Sequence, residues 1–543
     1  MEKNHVKKKI SVHRKSTQEE ISCEGEDRIL DALQKVYPSC TAVCGKRGIC
    51  GKCKIRVLQG DVPPSKEDEA YFSQEEIDTG WRLSCKAYPL GDCEIVMAFE
   101  EEEFDVLTDS AEVKENSRER ERQPKAQGKG AYGIAIDIGT TTLAAQLLET
   151  SSENREVEAT AVSLNHQRAF GADVISRIQA SNSGKKGELQ ECIRRDLLDL
   201  IIRLVQEKKI QEGELKRICI TGNTTMEHLL MGYSCETLGK QPFAPFSLEC
   251  VTDRAEAILG KGVGEIGLDP ELEVCLLPGI SAFVGADIAA GLLSCGFDRK
   301  EEVNFFLDLG TNGEMAVGNR EGIFVTSTAA GSAFEGGNMK WGCGSVPGAI
   351  CHVTVQKDGS ALTETIGGVT PVGICGTGAV ETAAELLEKG LMDETGRLET
   401  KYAQDGYPLA QTVEGETIAF IQKDIRELQL AKAAVRAGIE ILLQKQGIGY
   451  DGLNKFYLAG GFGHGIDQEK AAVIGLLPKE VLDRIELVGN SSLTGVKLFM
   501  TDESALERIE QIRKVSREVN LAKEKDFQER YMGAMYFEED TCF

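Results

Sequence analysis

Ala135-Ile136-Asp137-Ile138-Gly139-Thr140-Thr141-Thr142 decides the fold, together with its downstream echo Phe306-Leu307-Asp308-Leu309-Gly310-Thr311-Asn312-Gly313. Both run apolar-Asp-apolar-Gly-Thr, which predicts a strand turning sharply into a second strand. Gly139 and Gly310 let backbone N–H groups approach an anion, and the threonine hydroxyls add donors. An Asp at the end of the first strand suits a magnesium ion held through water. Two such turns facing each other would grip one polyphosphate from both sides. Each follows an apolar β-type run, so the pair predicts a duplicated fold.

A third piece belongs with them. Phe456-Tyr457-Leu458-Ala459-Gly460-Gly461-Phe462-Gly463 is again an apolar strand ending in glycines that permit close backbone approach. In this order and spacing the three pieces resemble the phosphate-1, phosphate-2 and adenosine motifs of the actin, sugar-kinase and heat-shock ATPase superfamily. Gly373-Ile374-Cys375-Gly376-Thr377-Gly378, opening a helix-like run, resembles that superfamily's connecting motif. The resemblance implies a duplicated ribonuclease-H-like core that binds ATP and Mg2+. It implies that Asp137 holds the magnesium or its waters. Asp308 would orient the metal or the attacking water, with Glu314 a weaker candidate. Thr140, Thr141, Thr142, Thr311, Asn312 and Gly313 would surround the β- and γ-phosphates. Gly460, Gly461 and Gly463 would meet the adenosine, and Gly376 and Gly378 would line the connecting motif. Catalysis would then be positioning and charge stabilisation, as for phosphoryl transfer generally.

The 543 residues suffice for several domains, and 41% hydrophobic with 27% charged residues is a globular composition. A net charge of −25 argues against nucleic acid or an anionic membrane as the main partner. ATP is not excluded, because a local nest of N–H groups and a cation outweigh a distant global charge. No apolar run reaches spanning length and the N-terminus lacks a signal-peptide core, so a cytoplasmic location is expected. The 17 cysteines are then expected as thiols or metal ligands.

Residues 1–99 read as a small domain of short strands with one helix. Ile10 to His13 and Glu19 to Ser22 suggest a hairpin, and Ile29, Leu30, Leu33 and Val36 mark one face of a helix. Cys44, Cys50 and Cys53 follow on one Gly-rich loop, and a distant fourth cysteine, Cys85, sits in Arg-Leu-Ser-Cys. Three thiolates on a loop with a remote fourth suit a 2Fe–2S cluster, two ligands per iron. The arrangement resembles ferredoxin domains of the plant and vertebrate type, and its C-x5-C-x2-C spacing is nearer the vertebrate and bacterial subgroup. Zinc is the competing reading, but zinc ribbons favour two paired C-x2-C knuckles, and here only Cys50 and Cys53 form one. Cys40 and Cys93 lie near and are set aside as ligands.

Residues 100–130 are strongly charged and read as a linker. We divide the remainder into a first ATPase-like lobe or middle domain at 131–215 and a second ATPase-like region at 216–543. Helices are expected from Leu189 to Glu207, after Asn223 with Thr224 as N-cap, from Thr377 to Gly390 and from Asp424 to Gln446. The small residues from Thr328 to Gly337 predict a loop passing close to nucleotide or to the opposite lobe.

The whole chain, including Asn165 to Ile178 and Gly222-Asn223-Thr224-Thr225-Met226, resembles the reductive activators of corrinoid proteins. The resemblance implies an α/β and α+β multidomain protein. A β-grasp ferredoxin-like domain would pass electrons from an external low-potential donor to a corrinoid protein. ATP would assist the conversion of inactive Co(II) to Co(I) for methyl transfer in anaerobic one-carbon metabolism. A homodimer through the core is in keeping with that family. The alternatives are an activator of the 2-hydroxyacyl-CoA dehydratase type, a non-catalytic nucleotide-binding redox sensor, and a sugar kinase with an accessory domain.

Overall fold

The computed structural model describes residues 7–13, 18–25, 27–37, 46, 48, 53–97, 131–150, 157–211, 213–331, 333–413 and 415–537. The charged linker predicted at 100–130, and Cys44 and Cys50, lie outside the described residues.

The N-terminal domain is built on a five-stranded sheet. Its order is Gln18–Glu24, Lys7–His13, Cys93–Met97, Lys54–Gln59, Trp81–Leu83. The first strand runs antiparallel to the second and parallel to Cys93–Met97, the central pairing of a β-grasp. Helix Ile29–Val36 covers the sheet with Ile29, Leu30, Ala32 and Leu33 fully inside. Val36, expected on the same face, is 48% exposed. It is the last helical residue, and Ala32 rather than Val36 completes the buried stripe.

The rest of the described chain is organised by two six-stranded sheets. The first runs Val251–Arg254, Glu273–Leu276, Leu215–Gly222, Tyr132–Ile138, Thr142–Glu149, Val157–Leu164. The second runs Ile485–Gly489, Phe456–Ala459, Asn304–Leu309, Gly313–Asn319, Gly322–Thr328, Ser516–Glu518. Each begins with three antiparallel strands and then adds two parallel ones on the far side of the first strand. The same topology twice is a duplicated fold. Because Leu215–Gly222 pairs with Tyr132–Ile138 at the centre of the first sheet, that lobe extends through Leu276 and the boundary drawn at 215 is corrected. A strand that returns by a crossover looks the same in sequence whichever sheet it joins.

Apolar burial fixes each sheet against its helices. Phe305 and Phe456, on adjacent parallel strands, stack with ring centroids 4.9 Å apart and planes 3° from parallel. Such a pair adds about 0.5–1.5 kcal/mol beyond its buried area. The lobes meet through the helices that follow Glu273–Leu276 in the first sheet and Ile485–Gly489 in the second, namely Ala286–Ser294 and Ser491–Thr501. Glycines bring them close: a Cβ on Gly495 would lie 2.0 Å from the Ala290 carbonyl oxygen, and one on Gly291 would lie 2.8 Å from Phe306 Cζ. Since the obstacle at Gly495 is backbone, Gly495→Val must push the helices apart. We expect it to cost roughly 1–3 kcal/mol of core stability, read as a lowered thermal or urea midpoint. Gly533→Ala, whose new Cβ meets nothing within 4 Å, should leave that midpoint unchanged.

Candidate functional site

Both Gly-Thr turns form as tight connections between antiparallel strands. Gly139 allows the first to close, because a Cβ there would lie 2.6 Å from the Thr142 carbonyl oxygen. The turn is held from outside by the stretch from Asn165 to Arg177. Asn165 Nδ2 donates to Gly139 O at 2.9 Å, Asn165 N donates to Thr141 O at 2.9 Å, and Arg177 Nη2 donates to Thr140 O at 2.5 Å. Arg177 is fully buried, and that burial lowers its guanidinium to about 10. Asn223, not Thr224, caps the next helix, accepting from Met226 N at 3.0 Å. Its Nδ2 then donates to Thr140 Oγ1 at 3.0 Å. One side chain thus ends a helix and fixes a turn.

The loop after Thr328 does reach the opposite lobe. Thr311 Oγ1, in the second turn, donates to Glu335 Oε1 at 2.8 Å, and Thr141 Oγ1, in the first, donates to Glu335 Oε2 at 3.1 Å. One carboxylate therefore bridges the two turns, and the turns face each other across a shared space. Sequence reading missed Glu335 because nothing local marks it. It lies in a small-residue loop and gains its role only when the lobes meet.

At the strand ends, Asp137 and Asp308 are joined by Asp287, Glu227 and Glu314. Burial pushes Asp137 up to about 6, and burial with the charge of Asp137 pushes Asp308 up to about 7. Burial and the same neighbour push Asp287 up to about 8. Glu227 and Glu314 are raised by burial and by the charge of Asp287. Asn490 Nδ2, from the N-cap of helix Ser491–Thr501, donates to Asp137 Oδ2 at 3.1 Å. Glu227 Oε1 is buried without a hydrogen-bond partner. Carboxylates that repel one another in a dry cleft fit a divalent cation, which favours their ionised forms. Among the described residues no three His, Cys, Asp or Glu side chains are arranged to hold a metal directly. That donor set fits Mg2+ bound by one or two carboxylates, with waters and phosphate oxygens completing its shell.

The adenosine strand Phe456–Ala459 runs parallel to Asn304–Leu309, with Ala459 beside Asp308. Gly460, at φ +86°, is required there: a Cβ would meet Asp308 Oδ1 and Leu309 O, each at 2.6 Å. Cβ atoms on Gly310 or Gly461 would meet nothing within 4 Å, so both face open space. Other predicted positions face protein. A Cβ on Gly313 would lie 2.9 Å from Thr328 Oγ1, on Gly376 1.9 Å from Phe334 O, on Gly378 2.1 Å from Ile350 O, and on Gly463 3.1 Å from Leu458 Cγ. These four glycines serve close packing between elements, which a Gly-rich motif cannot be told from by sequence. Thr142 opens the second strand, and the Asn312 amide hydrogen-bonds Glu314, which also accepts from Ser327 Oγ at 3.2 Å. His166 pairs with Asp196 (Nδ1 to Oδ1, 2.7 Å), and His228 is a buried, satisfied core residue.

Of the four candidate cluster ligands, Cys53 and Cys85 are described, and both are buried. Ser84 draws their segments together, its N and Oγ donating to Cys53 O at 2.9 and 2.8 Å. Buried Asp68 anchors the strand leading to Cys85, accepting from Leu83 N at 2.7 Å while it also accepts from Ser65. Two sequestered thiols from separate turns, Cys53 before one strand and Cys85 after another, fit half the ligand set of a 2Fe–2S cluster. Cys93 stands in the central strand pairing, its thiol pushed up to about 11 by burial.

The raised carboxyls make metal-free stability depend on pH. Asp137, Asp308 and Asp287 keep protons in the folded state up to about 6, 7 and 8, whereas unfolded aspartate releases them near 3.8. The folded state binds more protons across that window, so stability is highest below it and falls as pH rises to about 8. Thermal midpoints of metal-free protein should fall between about pH 5 and pH 8, and Asp308→Asn should flatten the slope. A wild-type midpoint that rises throughout this range would contradict the assignment.

The comparisons with known proteins divide the chain in the same order. Residues 302–542 match the family model described as the C-terminal domain of RACo, the ASKHA domain. Residues 132–300 match the RACo middle region, and residues 12–90 match the 2Fe-2S iron-sulfur cluster binding domain. The chain is 33% identical over 426 residues to the corrinoid activation enzyme RamQ of Eubacterium limosum, covering 74% of this chain and 70% of that one. It is 27% identical over 408 residues to the Co(II) methylated amine-specific corrinoid protein reductase of Methanosarcina barkeri, covering 70% and 72%. Among solved structures, a reductive activator for corrinoid, iron-sulfur protein aligns over 97% of this chain and 98% of its own. That alignment has a TM-score of 0.67 at 26% identity.

Proposed function

The chain belongs to the RACo family of reductive activators of corrinoid proteins, and from that premise we propose that it returns an inactive Co(II) corrinoid protein to the methyl-accepting Co(I) state. One electron leaves its N-terminal domain for cobalt, assisted by ATP in the duplicated core. The observation that carries this reading is the union in one chain of a ferredoxin-type fold and two facing threonine turns bridged by Glu335.

A 2Fe–2S cluster on Cys44, Cys50, Cys53 and Cys85 supplies a one-electron carrier near roughly −400 mV. ATP coupling has a purpose there if the acceptor is harder still to reduce, or must be reshaped first. Mg2+ supplies the charge that neutralises the phosphates. Asp137, steadied by Asn490, holds that cation or its waters, and Asp308 orients it or the attacking water, with Glu314 behind. Thr140, Thr141, Thr142, Thr311 and Asn312 surround the β- and γ-phosphates, and Gly460 and Gly461 border the adenosine. Arriving phosphate oxygens take the threonine hydroxyls from Glu335, so occupancy of the site resets the contact between lobes.

The electron comes from an external low-potential donor, and the protein works in the cytoplasm. Among the described residues no helix is long and apolar enough to cross a membrane. A homodimer through the core belongs to the same reading and rests on the family resemblance.

The test is anaerobic visible absorption of a corrinoid protein with a dithionite-class reductant, this protein, and ATP added last. The Co(I) band should grow only after ATP. Asp137→Asn should slow that growth by about 100-fold or more while leaving the cluster spectrum intact. Cys85→Ser should lose the cluster bands and electron delivery while still binding nucleotide. If no Co(I) appears with several corrinoid proteins, despite an intact cluster and bound ATP, the reading fails in favour of a sensor or a dehydratase-type activator.

A further inference from the structure

Three thiols gather on one face of the first six-stranded sheet, outside both sites described above. Cys219 lies directly beside Cys275 in the parallel pairing of their strands, and Thr252 lies directly across from Cys275 in the antiparallel one. Cys250 stands two residues before Thr252, on the same face, with its Sγ 3.5 Å from Cys275 Sγ. Thr252 Oγ1 donates to Cys275 Sγ at 3.4 Å, and the Cys219 thiol also hydrogen-bonds that sulfur. Arg217, two residues before Cys219, sets its guanidinium over the Phe499 ring at 5.7 Å and within charge reach of both Cys219 and Cys275.

A cavity of about 390 Å³ opens here, lined by Cys250, Cys275, Arg217, Thr252, Phe499 and Met500 among others. It combines a sulfur pair with room for a small molecule; Arg217 there is ion-paired with Glu273 at 2.6 Å, and Asp502 and Glu503 also line the space. We propose that Cys250 and Cys275 form a redox-active dithiol, which a small disulfide entering this cavity converts to an intramolecular disulfide.

The sulfurs need to approach by about 1.5 Å to reach bonding distance, a movement that side-chain rotation at a sheet edge accommodates. Cys250 is the more exposed of the two and meets the oxidant first. The hydrogen-bonded Cys275 sulfur takes the Cys250 proton as Cys250 attacks one sulfur of the small disulfide, whose S–S bond breaks; the leaving sulfur then takes that proton from Cys275. The Cys275 thiolate attacks the Cys250 sulfur of the mixed disulfide, and the second small sulfur departs as a thiolate that water protonates. In sum, one protein thiol, one protein thiolate, one small disulfide and one solvent proton become one protein disulfide and two small thiols, with two electrons passing to the small molecule.

The surroundings prepare Cys275 for the second step. Hydrogen bonds from Cys219, Cys250 and Thr252, with the charge of Arg217, hold its thiol well below the ordinary range, while Cys250 is held above it. A thiolate is the reactive form. Cys295, fully buried in the same core, has no such setting; burial pushes its thiol up to about 12, and it serves as the internal control.

The experiment treats the full, cluster-loaded chain anaerobically with oxidised glutathione, then alkylates it under denaturing conditions and maps the peptides by mass. We expect a linked peptide pair containing Cys250 and Cys275, two alkylatable thiols fewer than in untreated protein, and Cys295 unchanged. Dithiothreitol should restore both thiols. Cys275→Ser should stop at a glutathione adduct on Cys250, and Cys250→Ser should form no link at Cys275. The proposal is overturned if both cysteines stay fully alkylatable in the wild type, or if a Cys250 adduct accumulates there without resolving. Wild-type mapping decides the matter even where a variant does not fold. No ATP or corrinoid protein enters the assay, so the outcome is independent of the proposed activity.

Discussion

Like charges held together out of water are the constraint on which the core depends. Asp137 and Asp308 end equivalent strands of two equivalent sheets; burial raises both, and the charge of Asp137 raises Asp308 and Asp287 further. Asp287, Glu227 and Glu314 add to the same field. Such a cluster is costly unless it is protonated or meets a cation. The duplicated fold thus holds an unfavourable electrostatic arrangement at the seam between lobes, which protonation relieves and a bound cation would relieve.

The seam has two kinds of contact. Behind the cleft, helices Ala286–Ser294 and Ser491–Thr501 cross at glycine positions so close that neither lobe shifts there without losing packing. In front, the lobes are joined by hydrogen bonds from Thr141 and Thr311 to a single carboxylate, Glu335. Backbone-close helix packing holds one part of the seam, and a polar bridge through one carboxylate holds the other. Asn490 links the two regions, since it caps the second helix and also holds Asp137.

The N-terminal domain follows a different economy. A small sheet and one helix leave little apolar area, and buried polar anchors complete the structure. Asp68 satisfies Ser65 and Leu83 together, and Ser84 ties the Cys85 segment to Cys53. This anchoring fixes the segments of Cys53 and Cys85, the two described candidate ligands, against each other.

Much of this was legible in the chain itself. The continuous apolar runs ending in Asp and Gly-Thr foretold the two strand turns, their duplication and the facing threonines, because a strand turn is a local event. The Cys44, Cys50, Cys53 and Cys85 spacing likewise announced the small domain, and resemblance supplied the family. Non-local pairing was not legible. Whether Leu215–Gly222 joined the first sheet or opened the second depends on a crossover, and the boundary at 215 failed for that reason. A Cβ on Gly313, Gly376, Gly378 or Gly463 would meet neighbouring atoms, a packing need that the Gly-rich motifs do not reveal by themselves. Glu335, Asp287, Asn490 and the thiol row of Cys219, Cys250 and Cys275 carry no local mark at all. Sequence fixes which turns and helices form, because their causes lie within a few residues. Only the tertiary structure decides which charges, hydroxyls and sulfurs meet, because those partners lie apart in the chain, by 24 residues for Thr311 and Glu335 and by 353 for Asp137 and Asn490.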